Sequence, residues 1–233
     1  MIVDKSYSEW LKENTKEPVE VIPYPCIEAF SSPIWIFDLT QPKELNEKLT
    51  NFAYLQKKLD QEKPPVKSKS NRGGWHSQTN MQEYKECWEM ISLIETFVRK
   101  SIEESRIKKY GKIPTFGIGV SIWFNINSPG DSNGIHTHPN SHYSGCYYIK
   151  VPEGDAGILE IYNPKCISQN LVLPDNDKYS TTRQKIKPKE GRFVLFKSDT
   201  HHEVRANNTD EDRISLAFNV VLKNLSEEDR YEP

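Results

Sequence analysis

Cysteine is scarce in this chain. Four occur in 233 residues, at Cys26, Cys87, Cys146 and Cys166, and no two form a Cys-x-x-Cys pair. A cysteine zinc module and a disulfide framework are therefore both excluded, and in a reducing compartment the four read as free thiols. A chain of this length buries enough surface to fold without cross-links. No run approaches the ~18 consecutive apolar residues of a membrane helix. The opening MIVDKSYSEW has no apolar core of signal-peptide length, so a cytoplasmic location is expected (the host cytoplasm, for a phage-encoded protein). Neither charge predominates: 31 Lys and Arg stand against 33 Asp and Glu, a net charge of −2. A dedicated nucleic-acid binder would carry a net basic footprint, so neither nucleic acid nor membrane is expected as a partner. Repeats and low-complexity tracts are also missing. Aromatic residues at 11% are too frequent for a disordered chain.

What is present falls into two halves. Residues 1–28, with Pro18, Pro23 and Pro25, read as a helical turn and an extended arm. Ile34 to Leu39 is a short strand opened by Pro33. From Thr40 to about Glu62, Leu45, Leu49, Phe52, Leu55 and Leu59 recur at steps of three and four, which predicts an amphipathic helix with Pro42 in its first turn. Residues 63–80 form a polar loop. Residues 82–109 predict a second helix with Trp88, Ile91, Ile94, Phe97 and Val98 as its buried stripe. After Gly111 the period changes to two. Strands are expected at 116–127, 136–138, 144–151, 157–162, near 180–186, and at 192–196, 203–206 and 213–222. The expectation is a single domain, mainly β with N-terminal helices. Residues 1–112 form the arm and supporting helices, 113–222 a sandwich or jelly-roll core, and 223–233 a tail. The helices pack on one outer face, since they cannot bury their stripes without the sheet.

Side chains of a strand alternate between faces. In 121–127, Ile122, Phe124 and Ile126 oppose Ser121, Trp123, Asn125 and Asn127. In 213–220, Ile214, Leu216, Phe218 and Val220 oppose Arg213, Ser215, Ala217 and Asn219. In 144–151, Tyr147, Ile149 and Val151 oppose Ser144, Cys146, Tyr148 and Lys150. Two arrangements fit: a sheet with one side in water, the commoner case, or polar faces converging on a cavity suited to an anion.

Five of the six histidines lie between His136 and His202. In His136-Thr137-His138 an extended backbone puts both rings on one face, near enough to hold one metal ion. His201 or His202, just after a buried strand, offers a third imidazole. Neutral imidazoles suit first-row metals. Surface loop histidines would give the same pattern, and the second cluster in a strand-rich half is what favours a metal site. His142, read as part of a loop, is a further candidate, and His76 reads as a substrate-side or structural residue. Arg213 follows His202 on the polar face of the next long strand. Its planar fork suits a carboxylate, and Ser215 shares its face. An exposed arginine paired with Glu211 or Asp212 is the plainer alternative.

The segments WFNINSPGDSNGIHTHPNSHYSGCYYIKVP and GRFVLFKSDTHHEVRANNTDEDRISLAFN, with SNRGGWHS upstream, resemble the Fe(II)- and 2-oxoglutarate-dependent oxygenases. The nearest group is a family of such oxygenases from marine bacteria and their phages. The likeness covers roughly residues 30–222. It implies a double-stranded β-helix, a cupin-like jelly roll, with Fe(II) as cofactor and 2-oxoglutarate as cosubstrate. It implies dioxygen and a small-molecule or peptide substrate as partners, and hydroxylation with release of succinate and CO2. His136 falls at the first metal ligand and His202 at the distal one. Arg213 and Ser215 fall where the family holds the distal carboxylate of 2-oxoglutarate, Tyr148 matches a tyrosine that assists them, and Asn125 is a weaker cosubstrate contact. The departure is His138, where the superfamily has a carboxylate. His138 completes an all-histidine triad on spacing, with Asp131, Asp155 or a water as alternatives. Residues 70–80, with Trp75 and His76, and residues 140–143 are expected at the substrate rim. Two other classes compete: a cupin-type metalloenzyme without 2-oxoglutarate, in which His142 stands at a ligand position, and a metal-free jelly-roll binding module.

Overall fold

A computed structural model describes residues 32–61, 70–105, 116–164 and 181–223. The chain divides between Ser31 and Ser32, and every described residue belongs to the second part. The expected N-terminal arm, the end of the second helix beyond Ser105, the tail from residue 224, Cys26 and Cys166 lie outside the described residues.

The strands are β1 (Ile34–Asp38), β2 (Asn71–Arg72), β3 (Trp75–His76), β4 (Gly117–Asn127), β5 (Ser132–His136), β6 (Tyr143–Lys150), β7 (Leu159–Tyr162), β8 (Arg183–Ile186), β9 (Arg192–Lys197), β10 (His202–Val204) and β11 (Arg213–Lys223). Six make a major sheet in the order β1-β9-β6-β11-β4-β3, and five a minor sheet in the order β2-β5-β10-β7-β8. All these pairings are antiparallel. This is the jelly-roll plan expected. The short strands β2 and β3 were not foreseen within the polar 63–80 loop. Two residues are too few to show a period, and they are strands because each pairs with the edge of a longer partner.

Two helices, α1 (Lys43–Asp60) and α2 (Trp88–Ser105), cover one face of the major sheet. Pro42 stands at the N-cap of α1, where its missing N–H costs nothing. The helices and the outer face of the major sheet close around Leu45, Leu49, Phe52, Met90, Ile94, Val98, Ile122, Phe124, Ile126, Leu216, Phe218 and Val220. Tyr147 of β6 donates its hydroxyl to Asn46 Oδ1 of α1 at 2.6 Å and so ties helix to sheet. Both predicted helix stripes need correction. Leu55 is 52% exposed and Leu59 49%, while Ala53 and Gln56 are buried. Trp88 is 61% exposed, and the buried stripe of α2 runs Met90, Ile94, Val98, Ser101. The helix begins only at Trp88, after two short 3-10 turns at Met81–Glu83 and Lys85–Cys87, so Trp88 sits on its solvent-side first turn.

β1 is held to β9 partly by charge. Arg192 grips both Asp38 oxygens, Nε to Oδ1 at 2.8 Å and NH2 to Oδ2 at 2.9 Å, and Lys189 adds a contact at 2.8 Å. The Arg192 hydrogen bond above all holds the Asp38 carboxyl far below the usual carboxylate range.

Two predictions follow from this packing. Leu49→Ala should cost about 3 kcal/mol in urea denaturation, as a cavity in a closed core does, and Leu55→Ala about 0.5 kcal/mol or less. Comparable losses would overturn the assignment of the buried stripe. Asp38→Asn should cost about 0.5–1 kcal/mol at neutral pH, because the pair is partly solvated. Asp38 has a folded pKa below its unfolded one, so its contribution is complete above about pH 5 and fades as pH falls through the carboxylate range. Wild type and variant should therefore converge in acid.

Candidate active site

The polar face of the major sheet is not in water. β11 lies between β4 and β6, and the register sets Arg213 opposite Asn127, Ser215 between Asn125 and Tyr148, Ala217 between Trp123 and Cys146, and Asn219 between Ser121 and Ser144. The minor sheet lies across this face. Between the sheets is a cavity of about 440 Å³, lined by Asn125, Tyr148, Arg213 and Ser215 from one sheet and by His136 and His202 from the other. Of the two arrangements that alternation allowed, convergence on a cavity is the one adopted.

The three histidines meet there. His202 on β10 stands directly opposite His136 on β5. His138 follows β5, positioned by its own backbone N–H on the Ser198 carbonyl at 2.8 Å. One ring nitrogen from each of His136, His138 and His202 lies within 4.8 Å of the others. The Nδ1 of His136 is 2.7 Å from the Gly134 carbonyl, and that of His202 is 2.9 Å from the Thr200 carbonyl. A carbonyl only accepts, so each Nδ1 carries the proton and each Nε2 presents a lone pair. His202 Nε2 is 3.2 Å from His138 Nε2. Burial, reinforced by the neighbouring rings, pushes His138 down to about 4 and His202 to about 3, and burial lowers His136 as well. All three rings are neutral at pH 7, the form that binds metal. His201 is exposed.

Other sequence candidates lie elsewhere. Asp131 Oδ2 accepts the Ser128 N–H at 2.8 Å and Asp155 accepts from Asn208 at 2.7 Å, so both carboxylates shape loops. His142 Nδ1 accepts the Leu222 N–H at 3.1 Å and takes no part in the triad. Residues 140–143 do not line the cavity, and Tyr143 is buried on the helix side. Of the 70–80 segment, Ser70, His76 and Thr79 do line it. Trp75 packs against the helical core instead, because it alternates with His76. His76 stacks on Trp123 with centroids 5.7 Å apart and planes at 15°.

Arg213 is 1% exposed. Glu211 takes Lys150, and Asp212 takes Tyr54 and Ser128, so neither is its partner. Its NH1 donates to the carbonyls of Ala156 and Gly157, at 2.9 and 3.1 Å, and its Nε has no partner. Among the described residues it makes no salt bridge. Gly157 has φ +84°, and a Cβ there would lie 2.6 Å from Arg213 NH1 and 2.3 Å from the Arg205 carbonyl, so only glycine lets the guanidinium close on this turn. Tyr148 and Cys146 lie beside Arg213, and burial keeps both protonated, Cys146 raised to about 11 and Tyr148 well above its usual value. Asn125 Oδ1 is also buried without a partner. Sequence reasoning missed the carbonyls of Gly134, Thr200, Ala156 and Gly157, which carry no side-chain signal. It also missed Asn133, which joins Asn71 and Asn127 at the cavity wall.

The structure is a jelly roll in which three convergent neutral imidazoles and a buried, unpaired arginine share one cavity. Residues 121–219 match the model of a family described as "Putative 2OG-Fe(II) oxygenase". The family implies Fe(II) and 2-oxoglutarate, and the His136, His138 and His202 set fits iron. The fold is similar to a Pseudomonas putida prolyl-4-hydroxylase (TM-score 0.55, 15% identity, 83% of this chain and 94% of that one). It is also similar to a Trichoplax adhaerens prolyl hydroxylase solved with a hypoxia-inducible-factor peptide (0.52, 16%, 84% and 85%). A third similar structure is the α-ketoglutarate-dependent carbocyclase SnoK of nogalamycin biosynthesis (0.56, 10%, 95% and 85%). At these identities the likeness speaks for the fold alone. Comparison with curated protein sequences gives no match. Among the described residues no helix is long and apolar enough to cross a membrane.

An unpaired buried charge is costly, and apolar replacement of such a group is often neutral or stabilising. Arg213→Met should leave the metal-free, cosubstrate-free protein as stable as wild type, or more stable by about 1 kcal/mol, in chemical denaturation. A loss of more than about 2 kcal/mol would show that the two backbone carbonyls already satisfy the guanidinium.

Proposed function

We propose that the protein is an Fe(II)- and 2-oxoglutarate-dependent dioxygenase of the hydroxylase type. Its substrate is a small molecule or a peptide segment. The observation that carries this reading is Arg213, a buried guanidinium without a carboxylate, in the same cavity as three convergent imidazoles. A metal site alone gives no reason to bury that charge. A dicarboxylate that reaches the metal with one end does.

In this reading His136, His138 and His202 hold iron, with the first and last fixed in tautomer by Gly134 and Thr200. Arg213 pairs with the distal carboxylate, for which its unpartnered Nε is available. Ser215 and Tyr148 flank it in register and offer hydroxyl donors to the same group. Both protons stay in place at neutral pH, since burial opposes ionisation of Tyr148. Asn125, next to Ser215 on β4, has an unmatched acceptor toward the cavity. Bound iron and 2-oxoglutarate supply the oxidising chemistry: one oxygen atom of O2 enters the substrate C–H bond, and the other enters succinate as CO2 leaves. The chain's own part is to bind, to orient and to keep bulk water from the metal. The cupin alternative loses its extra ligand, because His142 is engaged by the Leu222 amide.

The test is an anaerobic titration of the metal-free protein with Fe(II) and then 2-oxoglutarate, followed in the visible. A charge-transfer band that needs both additions is expected. His136→Ala should abolish it, and Arg213→Ala should raise the 2-oxoglutarate concentration required by about tenfold or more, as loss of a charged hydrogen-bonded pair implies. Iron binding without the band would return the protein to the cupin class, and no iron binding would sink the enzyme reading.

A further inference from the structure

Among the described residues that line the cavity there is no aspartate or glutamate, and Arg213 is the one charged side chain. Cys146 and Tyr148 stay protonated at pH 7 and add no negative charge. The three imidazoles are neutral. Asp131 is the acidic group whose charge reaches Arg213, and its carboxylate is turned to the Ser128 amide. A divalent ion at the triad would therefore bring the enclosed site to three positive charges, and 2-oxoglutarate cancels two of them. One positive charge remains in a space from which water is partly excluded, where Coulomb terms are several times stronger than in bulk solvent. A carboxylate at the position of His138 would have removed it.

The cavity also has room left over. At about 440 Å³ it lies in the range that takes a drug-sized ligand, more than a five-carbon dicarboxylate fills. Beyond the Arg213 end it is lined by neutral hydrogen-bonding groups, Ser70, His76, Thr79, Ser121, Thr137 and Asn219. These can solvate an anion and contribute no charge against it.

We propose that the loaded site takes one further anion beside 2-oxoglutarate. The substrate is of the class that presents an anionic group to the cavity, and His138 sets this preference by leaving the centre one charge more positive than a carboxylate ligand would. The inference rests on the metal and 2-oxoglutarate reading above and names the substrate class for that site.

Cobalt(II) can stand in for iron under air, and azide serves as the monoanion probe. The Co(II)-loaded protein is titrated first with 2-oxoglutarate and then with sodium azide, and its visible d–d bands are followed. In the wild type both additions should shift the bands. His138→Asp should raise the azide midpoint at least about tenfold, and the neutral isostere His138→Asn should stay within about threefold of wild type, as a charge effect demands. Absence of any 2-oxoglutarate-dependent shift would overturn the dioxygenase reading itself. A 2-oxoglutarate shift with no azide response in the wild type would overturn only the anion proposal, and that arm needs no variant. Equal azide midpoints for His138→Asp and wild type, or equal losses for Asp and Asn, would overturn the role of His138.

Discussion

The structure depends on the two-facedness of β11. A strand has only two faces, and this one is central to the major sheet, paired along its length with β4 and β6. One face carries Ile214, Leu216, Phe218 and Val220 into the helical core. The other carries Arg213, Ser215, Ala217 and Asn219 into the cavity. A slip of one residue in register would put the guanidinium into the helical core and the leucine into the site. The apolar face therefore does more than add stability. Burial of Leu216 and Phe218 against α1 and α2 fixes where Arg213 stands.

The cavity side is energetically unfavourable by itself. It holds a charge without a counter-charge, and a hydrogen-bond donor and an acceptor without partners at Arg213 and Asn125. Each costs on the order of 1–3 kcal/mol or more when left alone. The helical core offsets that cost. On the proposed function an anion paired with Arg213 would remove part of it, so binding there would stabilise the fold as well as fill the cavity.

Much of this was legible in the sequence. Period two over 121–127 and 213–220 separates the two faces of the cavity floor and puts Arg213 on the polar one, and the spacing of His136 and His138 puts both rings on one face; that these groups share one cavity is visible only in the structure. What was not legible has physical causes. Helix periodicity does not say which stripe of two competing ones meets the sheet, so periodicity alone assigns Leu55 and Trp88 to the interior although they face solvent. Backbone carbonyls orient His136, His202 and Arg213, and a carbonyl has no residue type to read. Strands of two residues, such as β3, have no period, although β3 is what brings His76 to the cavity. Asp131 and His142 sit close in sequence to the triad, and only their partners, the Ser128 and Leu222 amides, show that they serve loops and edges.

The same division runs through the cavity. Its inner end is made by long strands in the middle of the major sheet, where register is pinned from both sides, and on the proposed function it would receive the dicarboxylate. Its outer end is made by Ser70, His76 and Thr79, from short strands at sheet edges and the turns beside them. Those strands are two residues long and belong to connecting segments, which vary more readily than the interior of a sheet. On the proposed function, substrate choice would come from two sources of different character. Neutral hydrogen-bonding groups at the mouth can be redrawn easily, whereas the charge at a bound metal would be set by a single side chain, His138. His138 differs from its partners in one respect: among the described residues no carbonyl holds its Nδ1, while Gly134 and Thr200 hold those of His136 and His202. Its ring is placed by the Ser198 contact to its backbone and by packing near Trp123. The position that would set the charge of a metal centre is thus the one least tied to the frame that orients the other two.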